Sequence, residues 1–381
     1  MTNKTSIYFD NASTTPLLPE VKAVMSDVIN HNYGNPSSIH NYGRQSRTLI
    51  EDARSTIAQG LQASTGEIFF TSGATESNNM SLLCAIRDLG VKRIISSPTE
   101  HHCILHTLDY IKEKGLAECI MLDVDKEGHI DYDQLESLLD SYPENQMVSL
   151  MHANNEIGTL HDIHKVSEIC HRHGALFHCD TAQTIGKLPI DLNEVKISFL
   201  SGSAHKFFGP KGCGFIYINN DNMINPLFHG GDQERGMRSG TENLYSICGM
   251  ATAFDIAHKQ MSKRKELTQD IRNYCQQRLL ETFEDIQING SKDQHLYNIL
   301  SVSFPPSETV DMIMMNLDIN GICASAGSAC SSGVENDSHV LAHIGHDPAR
   351  KTVRFSFSHF NTKEEVDYLI EKLEKLTPLR R

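Results

Sequence analysis

Helix-like and strand-like stretches alternate along the first part of the 381-residue chain, from about residue 17 to residue 218. Short apolar runs with the composition of buried strands occur at residues 68–71, 93–97, 119–122, 147–151, 175–179, 197–200 and 214–218. Most are separated by segments of helical periodicity, such as 77–88 and 163–173. Alternation of this kind predicts an α/β fold, with a mostly parallel seven-stranded sheet covered by helices on both faces.

The pattern changes after Gly240. A long helical stretch at 244–283 is followed by short strand-like and helical segments at 286–288, 299–304, 309–317, 353–357 and 363–376. This succession is typical of a smaller α+β unit. We therefore expect a large domain of residues 16–259 and a small domain built from residues 1–15 and 260–381.

The chain carries 34 Lys and Arg against 48 Asp and Glu, a net charge of −14. Such an acidic surface argues against sequence-independent binding of nucleic acid or of an anionic membrane. There is no apolar signal region near Met1 and no run of about 18 apolar residues, so we expect a cytoplasmic protein. Ten cysteines without CxxC pairs indicate reduced thiols. The Cys and His residues between Cys170 and Cys179 are split by Gly174, and no metal site is predicted.

Lys206 is the most informative single residue. It follows the strand-like run 195–200 and precedes a Gly/Pro turn, among small and hydroxyl-bearing neighbours. A desolvated lysine becomes a nucleophile able to form a Schiff base, whereas a solvated loop lysine has no such role. Asp180 favours a Schiff-base role for Lys206. It stands where the strand-like run 175–179 ends, with Gln183 three residues later, and ligands bind at such strand ends in open α/β sheets. A lysine and an acid are what pyridoxal 5′-phosphate requires.

Three further strand ends carry polar side chains. Gly73 and the hydroxyl residues after it could bind an anion at a helix N-terminus, or simply cap that helix with Glu76 in its first turn. His101 could cap the next helix or transfer protons. Asn154 could simply form a turn, or it could belong to one site shared by the polar residues at these strand ends.

Cys330 and Arg354 complete the candidate residues. Cys330 lies among glycine, serine and alanine in residues 321–333, which predicts an exposed thiol, whereas Cys323 is interpreted as structural. Arg354 has a two-pronged guanidinium suited to a carboxylate.

From Tyr8-Phe9-Asp10-Asn11-Ala12-Ser13-Thr14-Thr15-Pro16 to Val353-Arg354-Phe355-Ser356, the chain resembles the cysteine desulfurases of the class V aminotransferase group, which have the fold of fold-type I pyridoxal-phosphate enzymes. The resemblance implies conversion of L-cysteine to L-alanine, with transfer of the sulfur to a cysteine persulfide. It implies Lys206, Cys330 and His101 as catalytic residues. It implies cofactor contacts from Ala74, Thr75, Asn154, Asp180, Gln183, Ser203, His205, Lys206 and Thr241, and substrate contacts from Asn35, Asn154 and Arg354.

The resemblance also implies a homodimer, with Thr241 reaching the neighbouring subunit's cofactor phosphate. It implies a sulfur-acceptor protein such as an iron–sulfur scaffold, a tRNA-thiolation relay or a thiamine-pathway protein. Departures from the family pattern are Ser358 and His359, in place of glycine and arginine, and Asn336-Asp337 in place of an acidic residue and proline. Two alternatives stay open: a relative acting on selenocysteine or cysteine sulfinate, and a degenerate pyridoxal fold kept as a scaffold.

Overall fold

The computed structural model describes residues 6–327 and 338–376. Up to residue 218 the elements are β1 (Ile7–Tyr8), α1 (Pro19–His31), α2 (Asn41–Leu61), β2 (Ile68–Thr71), α3 (Ala74–Leu89), β3 (Arg93–Ser96), α4 (His102–Glu113), β4 (Glu118–Met121), α5 (Tyr132–Asp140), β5 (Gln146–Met151), α6 (Ile163–Arg172), β6 (Leu176–Asp180), β7 (Phe199–Ser203) and β8 (Gly214–Ile218). Beyond it they are α7 (Leu244–Lys259), α8 (Met261–Thr282), β9 (Gln287–Asn289), β10 (Ile299–Phe304), α9 (Glu308–Asp311), α10 (Ile313–Ile319), β11 (Ile322–Cys323), α11 (His339–His343), β12 (Lys351–Ser356) and α12 (Lys363–Leu376).

Seven strands form the main sheet in the order β2-β8-β7-β6-β5-β3-β4. Strand β8 runs antiparallel to both of its neighbours, and the other pairs are parallel. Neighbouring strand residues face opposite sides: Phe70 and Ile95 belong to the core that holds α1, α2 and α7, while Phe69 and Ile94 belong to the core beneath α3 and α4. The predicted parallel sheet with helices on both faces is confirmed.

A second, smaller sheet has the order β12-β10-β9, all antiparallel. Its core includes Val302 and Phe355 and is closed by apolar residues of α8 and α12, such as Leu279 and Leu369. The N-terminal strand β1 pairs with β11, and Phe9 packs into this same core. These contacts agree with an α+β unit joined by the N-terminal segment, while the domain boundaries given above stay a prediction.

Three predicted elements differ from the observed ones. The helical stretch 244–283 is two helices that break at Gln260, since α7 packs against α1 and α2 while α8 packs against α12. The predicted strand 197–200 is β7, which continues to Ser203, because Gly202 allows the strand to pass the Phe215 ring. A Cβ atom at Gly202 would lie 2.4 Å from that ring. A third stretch, 309–317, is also two short helices, α9 and α10.

Among the residues described here, no helix has the length and the apolar character needed to cross a membrane.

Candidate active site

A cavity of about 480 Å³ opens where strands of the main sheet end. Its volume lies within the range usual for small-molecule sites. Nine of the residues predicted for the site line it: Ala74, Thr75, His101, Asp180, Gln183, Ser203, His205, Lys206 and Arg354. The carboxyl ends of the strands and the N-terminal segment therefore bring distant parts of the sequence to one place, as expected for an open α/β sheet.

Lys206 ends a short 3₁₀ turn, Ala204–Lys206, that follows β7 directly. Its Nζ donates to the carbonyl oxygens of Ala12 at 2.6 Å and Ser13 at 2.9 Å. The N-terminal segment is fixed to the same turn, because the backbone N–H and the hydroxyl of Thr15 both donate to the His205 carbonyl at 2.9 Å. The lysine is thus held at the cavity wall by carbonyl oxygens and is not a freely solvated loop residue.

Asp180 ends β6 and is 6% exposed. Its carboxylate accepts hydrogen bonds from Asn78 Nδ2 at 2.7 Å, from the Ala182 backbone N–H at 2.9 Å and from the Ser201 hydroxyl at 3.4 Å. Since the Asn78 Nδ2 group donates to Asp180, its Oδ1 accepts from Nε2 of His178, 3.1 Å away. Burial lowers the pKa of His178 to about 4, so this imidazole is neutral at pH 7. This buried network, in which the His178 ring is neutral, fixes the direction of the Asp180 carboxylate.

Helix α3 points its N-terminus into the cavity. Gly73 precedes it at φ 154°, and no side chain caps this end. The Glu76 carboxylate, suggested above as a possible capping group, accepts from the Ser72 backbone N–H at 2.9 Å and pairs with Arg238 Nε at 2.8 Å. The uncapped first turn, with Ala74 and Thr75 in the cavity lining, has the geometry and the dipole of an anion-binding site.

Two histidines border the cavity. His101 caps α4, since its Nδ1 accepts from the Cys103 backbone N–H at 3.1 Å, and the capping role considered above is therefore confirmed. Burial lowers the pKa of His101, which leaves a neutral ring that carries its proton on Nε2. Burial and the nearby Lys206 charge lower the pKa of His205 to about 4, and its Nδ1 lies 3.1 Å from the Thr14 hydroxyl.

Arg354 lies on β12 and is 2% exposed. Its Nη2 group donates to Asp10 Oδ1 at 3.0 Å and to the Ser13 hydroxyl at 2.6 Å, and Nη1 donates to the Asn155 carbonyl at 2.8 Å. Its buried Nε has no hydrogen-bond partner within the described residues. A fixed guanidinium at a cavity wall is suited to binding a carboxylate.

The other predicted residues lie elsewhere. Asn154 is buried outside the cavity lining, where its Nδ2 donates to the Thr99 carbonyl and its Oδ1 accepts from the backbone of Glu156 and Ile157. Asn35 and Thr241 are exposed on this chain and do not line the cavity. Cys330 lies outside the described residues. The roles suggested for these four residues stay predictions.

Sequence reasoning gave no role to Asp10 or Asn78. Asp10 orients Arg354, and Asn78 orients Asp180. The spacing of Asn78 held a signal, since it stands four residues after Ala74 and so shares that side of α3. Nothing in the sequence pairs Asp10 with Arg354, because that contact joins two segments far apart in the chain.

Comparison with known proteins identifies the family. The model of the aminotransferase class-V family matches residues 7–369. A protein named cysteine desulfurase IscS from Dictyoglomus turgidum is 40% identical over 377 residues, which cover 98% of this chain and 95% of the relative. The chain belongs to the class-V aminotransferase family. A solved structure titled NifS-like protein superposes with a TM-score of 0.90 at 36% identity, covering 97% of this chain and 99% of the other.

A second solved structure is titled SspA in complex with cysteine. It superposes with a TM-score of 0.81 at 30% identity, over 94% of this chain and 100% of that one. These matches confirm the predicted fold class, that of fold-type I enzymes, and the family predicted above. As a member of this family, the protein is an enzyme that depends on pyridoxal 5′-phosphate.

The cavity fits that cofactor. Asp180 is a buried acid suited to a pyridinium nitrogen, Lys206 is an amine suited to the aldehyde carbon, and the uncapped α3 turn is suited to a phosphate. The flat, neutral His101 ring is of the kind that stacks on an aromatic ring.

Proposed function

We propose that this class-V aminotransferase family member is a cysteine desulfurase, which converts L-cysteine to L-alanine and retains the sulfur as a persulfide on Cys330. One observation supports this most strongly: Lys206, Asp180 and the α3 N-terminus share a cavity in a chain that is 40% identical to a protein named cysteine desulfurase. The relative of known structure named in complex with cysteine supports L-cysteine as substrate.

Bound pyridoxal phosphate would supply an electron sink for the pair left on the substrate's α-carbon when its proton departs. Lys206 Nζ would take that proton, because this amine lies in the cavity wall. His101 would assist from its protonated Nε2. Asp180, fixed by its three donors, would hold the ring nitrogen protonated.

Arg354 would bind the substrate's α-carboxylate with the guanidinium that lies in the cavity wall, held there by the bonds of its Nη groups to Asp10 and Asn155. The Cys330 thiolate would then attack the substrate Sγ. The Cβ–Sγ bond breaks, its electron pair stays with the carbon, and that carbon takes up a proton to become the methyl group of alanine. Lys206 Nζ would return the proton that it took from the α-carbon, which completes alanine. The sulfur remains bound to Cys330, so no outside oxidant or reductant is needed.

We also propose a homodimer in which Thr241 and Asn35 complete the neighbouring subunit's site. Both residues are exposed on the single chain and lie outside its own cavity lining, which a role in trans would explain. The sulfur acceptor would be a protein such as an iron–sulfur scaffold. A cytoplasmic location is supported by the nine cysteines within the described residues, all of which are free thiols.

Mass spectrometry of the persulfide tests this function. After brief exposure of the holoenzyme to L-cysteine, we expect one added sulfur atom on the peptide that contains Cys330. The Cys323→Ser variant is the matched control, since Cys323 lies on β11 of the same region, and its persulfide yield should equal that of the parent. Added sulfur on Cys323, or none on Cys330, would refute the assignment.

A further inference from the structure

A second, much smaller cavity lies next to Phe207 and Phe208, the two residues that follow the Lys206 turn. Its volume of about 20 Å³ has room for a single water molecule or a monatomic ion. The lining comes from residues after β6, from Phe207 and Phe208, from α8 and from the segment after β12. That last segment contains Ser358 and His359, two of the positions at which the sequence departs from its family.

Two basic side chains are buried in this wall: Lys187 is 7% exposed and Arg264 is 6% exposed. Neither an aspartate nor a glutamate occurs in the lining, as far as the described residues extend. Arg264 lies over the Phe208 ring at 5.3 Å, and its Nε donates to Gln260 Oε1 at 3.1 Å. Its Nη1 is buried with no hydrogen-bond partner within the described residues. The cavity is therefore a buried, basic space with at least one unused donor.

Burying a positive charge is unfavourable, and the titration of these groups reflects this. Burial, together with the Lys206 charge, lowers the pKa of Lys187 to about 7. Burial lowers the pKa of Arg264, against the opposing influence of Tyr297 and Glu20, yet an arginine keeps its proton at neutral pH. Burial and the Arg264 charge lower the pKa of His359 to about 4, so this ring adds no charge. An anion would stabilise the arginine and the lysine together.

We propose that this cavity is a binding site for a monatomic monovalent anion of the size of chloride, held between Arg264 Nη1 and the Lys187 ammonium group. Water is the competing occupant. It is favoured by Oδ1 of Asn11 and Oδ1 of Asn298, two acceptors of the lining that are buried without partners. Water would satisfy these acceptors but would bring no negative charge into the cavity, and Arg264 would then have only the influence of Glu20, which lies outside the lining.

The site is connected to the catalytic lysine through hydrogen bonds. Lys187 Nζ donates to the Gln183 carbonyl at 2.7 Å, Gln183 Nε2 donates to the Ala12 carbonyl at 3.0 Å, and Lys206 Nζ donates to that same Ala12 carbonyl. An anion beside Lys187 would also favour the protonated form of that lysine, and would so stabilise this series of hydrogen bonds. The anion would thus stabilise the region behind Lys206 without entering the active site.

Thermal unfolding of the holoenzyme tests the site without any assay of desulfuration. Measured in sodium chloride and in sodium gluconate at equal ionic strength, the parent should melt at least about 2 °C higher in chloride. Arg264→Gln should lose this difference. Arg272→Gln should keep it, because Arg272 is buried to the same degree but donates to the Ile299 carbonyl and to Asn273. Equal melting temperatures in both salts for the parent, or an undiminished chloride effect in Arg264→Gln, would overturn the proposal.

Crystals of the holoenzyme grown with sodium bromide give a second measurement that needs no variant. Anomalous scattering at the bromine absorption edge should show a peak within hydrogen-bond distance of Arg264 Nη1. Bromide peaks confined to the protein surface, meaning an adventitious ion only, would overturn the proposal and indicate water in the cavity. Neither measurement depends on the substrate, so failure here leaves the desulfurase function untouched.

Discussion

Arg354 Nη2 lies 3.0 Å from Oδ1 of Asp10, and this ion pair joins β12 to the N-terminal segment at the wall of the main cavity. The same Asp10 oxygen accepts from the Ser325 hydroxyl at 2.7 Å. A guanidinium anchored in this way keeps one direction at the cavity wall, which suits it to a substrate carboxylate.

Asp10→Asn should raise KM for L-cysteine by about 10- to 100-fold, because a charge-assisted hydrogen bond worth about 1.5–3 kcal/mol no longer orients Arg354. The fall in kcat should be smaller. Steady-state kinetics checks this, with Asp311→Asn as the control, since Asp311 forms an exposed ion pair with Lys351 on the same strand. An unchanged KM would show that Asp10 does not position Arg354, and a lower KM would show that Asp10 competes with the substrate carboxylate.

Asn78→Ala should weaken cofactor binding at least about tenfold, because Asp180 loses its shortest hydrogen bond and His178 loses a partner in a buried network. Titration of the apoenzyme with pyridoxal phosphate, followed by visible absorbance, measures this. The matched control is Asn79→Ala, the next residue of α3, whose side chain donates to the Thr75 carbonyl. Equal affinities for the two variants would remove Asn78 from the site.

Gly202→Ala should destabilise the fold by about 1–3 kcal/mol, because the added methyl group would lie 2.4 Å from the Phe215 ring. Urea unfolding of the apoenzyme measures the difference. Gly66→Ala is a suitable control, since its Cβ would meet nothing closer than 3.5 Å. A Gly202→Ala protein as stable as the parent would mean that β7 and β8 can move apart at this point.

Stability should fall as the pH decreases from about 6.5 to about 4. Burial lowers the pKa of His161 to about 3 and that of His152 to about 4, so the unfolded chain takes up protons in this window that the native protein does not. Each such histidine contributes up to roughly 3 kcal/mol to the free energy of unfolding. This contribution is fully present above the pKa that the histidine has in the unfolded chain, and it is lost as the pH falls.

His161→Leu should flatten that pH dependence, because both ring nitrogens of His161 are buried without hydrogen-bond partners within the described residues. Urea midpoints at several pH values, compared with those of the exposed control His31→Gln, check this. A variant with the same slope as the parent would assign the acid sensitivity to other groups.

Much of the fold could be predicted because buried parallel strands are short apolar runs separated by amphipathic helices. The end of β7 could not be predicted, because Ser201 and Gly202 are poor strand formers. They are held in the strand by pairing with Asp180 and Phe215. The break at Gln260 also escaped prediction. No glycine or proline marks it, and only the packing of α7 and α8 against different partners explains it.

The cavity residues that follow strands directly, such as Asp180 and Lys206, could be predicted from the sequence. Two kinds of feature could not be predicted. Asp10 reaches Arg354 only through the tertiary fold, and the amide of Asn154 is occupied by the backbone of its own turn. Local sequence places a side chain at a strand end, but it does not say which way that side chain points.

The most direct test of the account is alanine production from L-cysteine by the holoenzyme and by Cys330→Ser, each with and without dithiothreitol. We expect that the parent forms alanine repeatedly only when the reductant clears the persulfide, that Cys330→Ser forms almost none, and that Lys206→Ala forms none in either condition. Alanine formation by Cys330→Ser at the parent's rate would contradict the central claim, since the sulfur would then leave by a route that does not involve this thiol.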